Sequence, residues 1–217
     1  MAISHWASTG ETGSPTVQPG GRVNLTEALD RAPARDDLVV VGGDRFSTSE
    51  LEAITSSTAA ALAERSVGSG DRVAFQLPVS VEAVVLYRAC WRLGAVAAAL
   101  HPRAGSAQVV AALEVLDPVV RVAGPGSPAA ELPGVLDVRS LRGGTEVPPV
   151  SVASSDDALV MFTSGSSGVP KGVVHTHGGL LYKVHQLLEV HGLGPEDVVL
   201  MPAPLAHVSG LLHGVLV

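Results

Sequence analysis

Between Asp71 and Ala123 the chain repeats one alternation: RVAFQL, SVEAVVLYRACWRLG, AVAAAL, SAQVVAALEVLD and VVRVAG. The short runs are almost wholly apolar, the mark of strands covered on both faces, while the longer spans carry apolar residues at helical spacing. Parallel strands cannot be joined by a tight turn and need a crossover, usually a helix. The stretch therefore predicts an α/β fold: a mainly parallel sheet with crossover helices on both faces.

The flanking text extends this plan. Asn24 is placed to cap a short helix through Arg31, and LVVVGG at Leu38 to Gly43 reads as an apolar strand stopped by glycines. A helix is expected from Ser49, where Ser49 and Glu52 match a capping box, with Leu51, Ile54, Ala61 and Leu62 turned to the core and an end near Gly68. Two irregular stretches, GPGSPAAELPG and RGGTEVPPVSVASSDD, flank a weak strand around Val135 to Val138. Beyond Asp157 come a strand (ALVMFT), a Gly/Ser loop, a second strand (VVHT) and a helix spaced through Leu180, Val184, Leu187, Leu188 and His191. The chain then turns on Pro202 and Pro204 into a last apolar helix, GLLHGVLV, which is expected to leave a core face uncovered.

Composition narrows the function classes. A domain of 217 residues buries roughly 70% of its unfolded surface and needs no covalent staple. Its single cysteine, Cys90, has no partner and reads as a core residue with Trp91, so a disulfide scaffold is excluded and a cytoplasmic setting is expected. A net charge of -7 offers no cationic face for a nucleic acid. Residues 1–22 have no hydrophobic period and many Gly, Ser, Thr and Pro, which reads as a flexible lead before one domain over 23–217. The most apolar helical stretch, Val81 to Leu100, is broken by Glu82, Arg88 and Arg92, so no membrane span is expected.

The chemistry concentrates in Thr163-Ser164-Gly165-Ser166-Ser167-Gly168-Val169-Pro170-Lys171-Gly172. Glycines let successive amides converge on an anion, hydroxyls add donors, and lysine adds a mobile charge; Lys171 is one of only two lysines, the other being Lys183. Polyphosphate is the natural guest. The run is not a Walker A loop, because Pro170 and Gly172 stand where that loop needs Gly and Ser or Thr. The competing reading is a plain Gly/Ser hairpin connection. Six histidines lie from His175 to His213, and His175 and His177 would share a strand face, but no Cys, Asp or Glu completes a ligand set at metal spacing.

DDALVMFTSGSSGVPKGVVHTHGGL resembles the signature of the adenylate-forming superfamily, which includes acyl-CoA synthetases, luciferases and peptide-synthetase adenylation domains. Phe162 to Val173 follow the family pattern almost continuously, Thr176 and His177 fit its trailing pair, and GDRVAFQLPVSVEAVVLYRACWRLGAVAAALHPR is similar to its N-terminal stretch. The resemblance implies that Thr163, Ser164, Gly165, Ser166, Ser167, Gly168 and Lys171 clasp the β and γ phosphates of ATP while a carboxylate attacks the α phosphorus. The products would be an acyl-adenylate and pyrophosphate, with coenzyme A taking the acyl group in a second step and Mg2+ expected only with bound ATP. Ser167, where threonine is common, keeps the hydroxyl.

In Pro204-Leu205-Ala206-His207-Val208-Ser209-Gly210, the resemblance puts His207 at the edge of the acid pocket, the alternative being an ordinary helix-start histidine. Ala206 departs from the frequent aromatic residue. A neutral imidazole cannot offset a buried ammonium, which favours a simple organic acid over an amino acid. The family's adenine, ribose and C-terminal lysine elements do not occur in these residues, so the chain is expected to be an incomplete N-terminal domain of the acyl-CoA synthetase fold, inactive by itself, with a C-terminal portion on a separate chain as one expected partner. Two other readings stand beside the acid–CoA ligase: a non-catalytic nucleotide-binding remnant or partner module, and a fragment of a peptide-synthetase adenylation domain.

Overall fold

The computed structural model describes residues 24–144, 147–163 and 170–217. The flexible lead expected over 1–22 lies outside them. The core is a six-stranded sheet built from β3 (Arg72–Gln76), β4 (Val96–Leu100), β5 (Val120–Ala123), β6 (Leu136–Asp137), β7 (Asp157–Thr163) and β8 (Lys171–Thr176). Their spatial order is β6-β5-β3-β4-β7-β8; every neighbouring pair is parallel except β7 and β8, which are antiparallel. The expected parallel α/β sheet is thus present, with one antiparallel edge.

Strand periodicity sorts its side chains into two cores. Val73, Phe75, Ala97, Ala99, Leu159 and Met161 point to one face, where they join α3 (Val81–Arg92), α2 (Thr48–Ala63), α1 (Leu25–Asp30) and α5 (His177–His191). Ala74, Val96, Ala98, Leu100 and Val160 point to the other, against Val109, Ala112, Leu113 and Leu116 of α4 (Ser106–Leu116). Every residue of β4 is buried, which is why that strand reads as an unbroken apolar run.

The remaining elements refine the sequence expectations. Asn24 caps α1, its side chain accepting the Glu27 N–H. Val39–Val41 (β1) does not simply stop at the glycines: Gly42 and Gly43 take φ of 62° and 99°, and the chain folds back antiparallel as β2, Asp44–Phe46. The cap of α2 is Ser47 with Glu50, two residues before the expected pair. The Ser47 hydroxyl accepts the Glu50 N–H and the Glu50 carboxylate accepts the Ser47 N–H. Ser49 lies inside the helix, because only Ser47 has the extended backbone a cap needs. The helix also ends at Ala63, short of Gly68, and the chain turns with Ser66 at a φ of 64°.

The last apolar segment comprises α6 (Val208–Leu211) and a π-helical turn, Leu212–Leu216. Its leucines do not form the uncovered face expected of them: Leu211, Leu212 and Leu216 are buried within the α3-side core. Exposed apolar side chains sit instead at Val190, Val198 and Leu200. Among the described residues no helix is long and apolar enough to cross a membrane.

Candidate functional site

Sheet topology marks one place for a ligand. From the end of β3 the chain leaves through α3 on one face, and from the end of β4 it leaves through α4 on the other. Where consecutive connections part to opposite faces, a crevice opens beyond the carboxyl ends of the strands. The end of β7 lies on this same edge, since β4 and β7 are parallel with Ala97 opposite Leu159. His101, the residue after β4, and Thr163, the last residue of β7, therefore both lie at the carboxyl edge of the sheet.

Thr163 and Lys171 are the two expected phosphate-loop residues within the described chain. They are a register pair closing the β7–β8 hairpin, and the Thr163 hydroxyl donates to the Lys171 carbonyl at 3.5 Å, a long contact. Both side chains are exposed at the sheet's end. Ser164, Gly165, Ser166, Ser167 and Gly168 lie outside the described residues. Gly172 sits opposite Phe162, where an added Cβ would come within 3.0 Å of Val160 Cγ1, so its lack of a side chain serves the cross-strand packing that supports the loop.

His207 occupies the N-cap position of α6 and is exposed, but its side chain makes no capping bond. Its segment is pinned from below. The buried Tyr87 hydroxyl donates to the Leu205 carbonyl at 2.7 Å, and the His207 N–H donates to the Pro204 carbonyl at 3.0 Å. A Cβ on Gly210 would fall 2.2 Å from the Pro204 carbonyl oxygen, which explains why this turn ends on glycine. Ala206, where an aromatic residue was the expectation from resemblance, is buried and contributes little bulk. Desolvation raises the Tyr87 pKa well beyond its ordinary range, which keeps the phenol a donor.

The ring of His207 faces that of His101, centroids 5.0 Å apart at 53°. Sequence reading passed over His101, and it also passed over Gln76, which holds the His101 turn. Gln76 is fully buried at the end of β3; its amide donates to the carbonyls of His101 and Ala104, both at 3.0 Å, and its oxygen accepts the Ala129 N–H at 2.8 Å. The available signals were a polar residue closing an apolar strand and a histidine at the carboxyl end of a parallel one. Burial, then the neighbouring His207 and Arg103, lower the His101 pKa.

His177 does not belong to this cluster, nor does it share a strand with His175. β8 ends at Thr176, whose hydroxyl caps α5 by accepting the Gly179 N–H, and His177 opens the helix. Its ring is fully buried; Nδ1 accepts the Leu25 N–H at 3.3 Å, while Nε2 is buried without a hydrogen-bond partner among the described residues. Burial brings its pKa down to about 4 against the opposing pull of Asp156. The family-pattern histidine therefore ties α1 to the start of α5. Cys90 and Trp91 are core residues as expected, the thiol pushed up to about 12 by burial and the Trp91 indole donating to the Ala158 carbonyl at 2.9 Å. Among the described residues no three His, Cys, Asp or Glu side chains gather closely enough to hold a metal ion.

Comparison with known proteins bears on this edge. Medium-chain fatty-acid–CoA ligase of Escherichia coli K12 is 31% identical over 210 residues, covering 83% of this chain and 37% of the ligase. A hybrid PKS-NRPS synthetase, gkaA, of Penicillium citrinum is 34% identical over 194 residues, 86% of this chain and 5% of that protein. Among solved structures, o-succinylbenzoate CoA synthetase (MenE) of Bacillus subtilis in complex with AMP superposes with a TM-score of 0.78 at 26% identity, covering 89% of this chain and 52% of the other. Its complex with ATP and magnesium ion gives 0.71 at 26% identity, covering 79% and 48%. The chain thus spans just over a third of the ligase and about half of the synthetase. With the AMP-binding enzyme family matching residues 25–217, nearly everything from α1 onward, the chain belongs to that family.

Proposed function

We propose that the crevice at the carboxyl ends of β3, β4 and β7 activates a carboxylic acid for an acid–thiol ligase of the AMP-forming type. One observation carries the reading: the topology puts the Thr163–Lys171 hairpin end and the His101–His207 ring pair on one edge of the sheet, so a triphosphate and an acid could meet there. Thr163, Ser164, Gly165, Ser166, Ser167, Gly168 and Lys171 would hold the β and γ phosphates by amide, hydroxyl and ammonium donors. His207 would border the acid. The acid's oxygen would attack the α phosphorus as pyrophosphate leaves, and the coenzyme A thiol, losing its proton, would then take the acyl group from the adenylate as AMP leaves. Mg2+ arriving with ATP would neutralise charge on the phosphate oxygens. The chain's own task is to hold two anions in line, which contributes to rate through positioning and through donors aimed at the transferring group.

His207 in place of a carboxylate favours a simple organic acid over an amino acid, even though a hybrid synthetase is among the relatives. The 217 residues alone would bind nucleotide without completing the reaction, in keeping with the 37% of the fatty-acid ligase that they span, and a further portion, as a continuation or as a separate chain, would supply the rest. Calorimetric titration with ATP tests the site. Binding should be weak and should fall at least about tenfold in Lys171→Ala, as when one charge-assisted contact is lost; equal affinity in both proteins refutes the reading. Carboxylate-dependent exchange of labelled pyrophosphate into ATP by these residues alone would refute the need for a further portion.

A further inference from the structure

His101 is held in a defined chemical form. The Arg103 backbone N–H donates to its Nδ1 at 3.1 Å, so the neutral ring carries its proton on Nε2 and presents that nitrogen as a donor. The turn around it is fixed by the two Gln76 amide bonds to the His101 and Ala104 carbonyls. The ring is half-buried while His207, its neighbour 5.0 Å away, is exposed and uses no ring atom to cap its helix. Two imidazoles at this separation, one with a settled tautomer and one open to solvent, match the two oxygens of a carboxylate better than the single atom of a hydroxyl or an amine.

We propose that His101 is a second acid-binding residue, a neutral Nε2–H donor that grips one carboxylate oxygen of the substrate while His207 grips the other. This rests on the reading of the edge as an acid-activating site and adds to it a named partner for the acid. The fork would orient the carboxylate before attack and select against acids that carry a second charge near it. Protonation of His101 would abolish the acceptor that holds the Arg103 N–H, and the facing His207 and Arg103 both oppose it, so the residue serves as a donor of fixed form. Gln76 is then a positioning residue, acting on the acid only through the turn it ties.

The test uses the 217-residue chain with nitrogen-15-labelled histidine, titrated with octanoate and with benzoate as aliphatic and aryl probes, in the presence and absence of ATP. The His101 Nε2 resonance should shift with at least one probe. Affinity for that probe should fall about tenfold in His101→Leu, the loss expected for one hydrogen bond to a charged group, and recover in His101→Asn, which restores a neutral donor. ATP affinity should not change in either variant. Unfolding curves establish that both variants fold, and the resonance shift of the unaltered chain stands independently of them. No His101 shift with either probe, or equal affinity in His101→Leu and the unaltered chain, overturns the proposal. Failure of ATP to bind while octanoate still moves His101 would instead strike the nucleotide reading and leave the fork in place.

Discussion

The two faces of the sheet are covered differently. On the α4 face the packing is aliphatic and small, alanine and valine strands against Val109, Leu113 and Leu116. On the α3 face the core holds Phe75, Tyr87 and Trp91 in a contiguous series, with Phe75 and Tyr87 edge-on at 5.0 Å and Tyr87 and Trp91 tilted at 5.6 Å. The polar tips of that series reach across the core to backbone carbonyls, Tyr87 to Leu205 and Trp91 to Ala158. Below them Arg88 and Arg92, both buried, converge on Glu52 of α2. The α4 face therefore packs through small aliphatic side chains around the buried Gln76 amide, which locates the His101 turn, while the α3 face packs through large rings whose polar tips locate the chain segments that carry His207 and begin β7. A buried hydrogen bond fixes a position in a way that contact between methyl groups does not.

This contrast can be broken at several points. The largest effect is expected for Trp91→Ala, about 3–5 kcal/mol by urea unfolding, from the cavity left and the Ala158 carbonyl left without its donor. Acid should weaken the α3 side next. His177 binds its proton near 4 in the folded chain against an ordinary 6.5, so the unfolded chain takes up the proton first as pH falls. Stability from this residue is complete above about pH 6.5 and lost progressively towards pH 4, at most about 3 kcal/mol. His177→Asn should flatten that part of the stability–pH profile; an unchanged slope would remove the assignment.

Leu113→Ala on the α4 face should cost about 2–3 kcal/mol and leave the His207 resonance where it was. Tyr87→Phe should cost less, about 1–2 kcal/mol, yet move the His207 resonance, because it frees the Leu205 carbonyl two residues away. If both variants disturb His207 equally, the two faces are not as different as their bonding implies. The smallest effect separates the two possible caps of α2: Ser47→Ala should cost about 1 kcal/mol and Ser49→Ala close to nothing in thermal unfolding.

Legibility in the sequence followed the range of the interactions involved. The strands and helices from Asp71 to Ala123 were readable because burial on both faces leaves an unbroken apolar run and a helix leaves a period. The α2 cap was misplaced by two residues because Ser47 with Glu50 and Ser49 with Glu52 satisfy one pattern, and only the extended backbone at Ser47 separates them. The β2 strand was missed because Asp44–Phe46 is short and largely exposed and carries no apolar signal. Among the candidate residues, Thr163, Lys171 and His207 were named from motifs, whereas Gln76 and His101 carried only the faint signals of a polar residue closing an apolar strand and a histidine just after another.

The order of residues alone determined that this chain is an α/β protein with a run of glycines, hydroxyls and a lysine after a buried strand, since periodicity and composition are properties of near neighbours. It also determined which histidines were available, without saying what each would do. Only the tertiary structure decided that His177 is spent on holding α1 and that His101, 106 positions from His207 in the chain, meets it ring to ring. Those outcomes depend on strand order and on which face each crossover takes. Such choices are made by packing over the whole sheet, and no stretch of neighbouring residues records them.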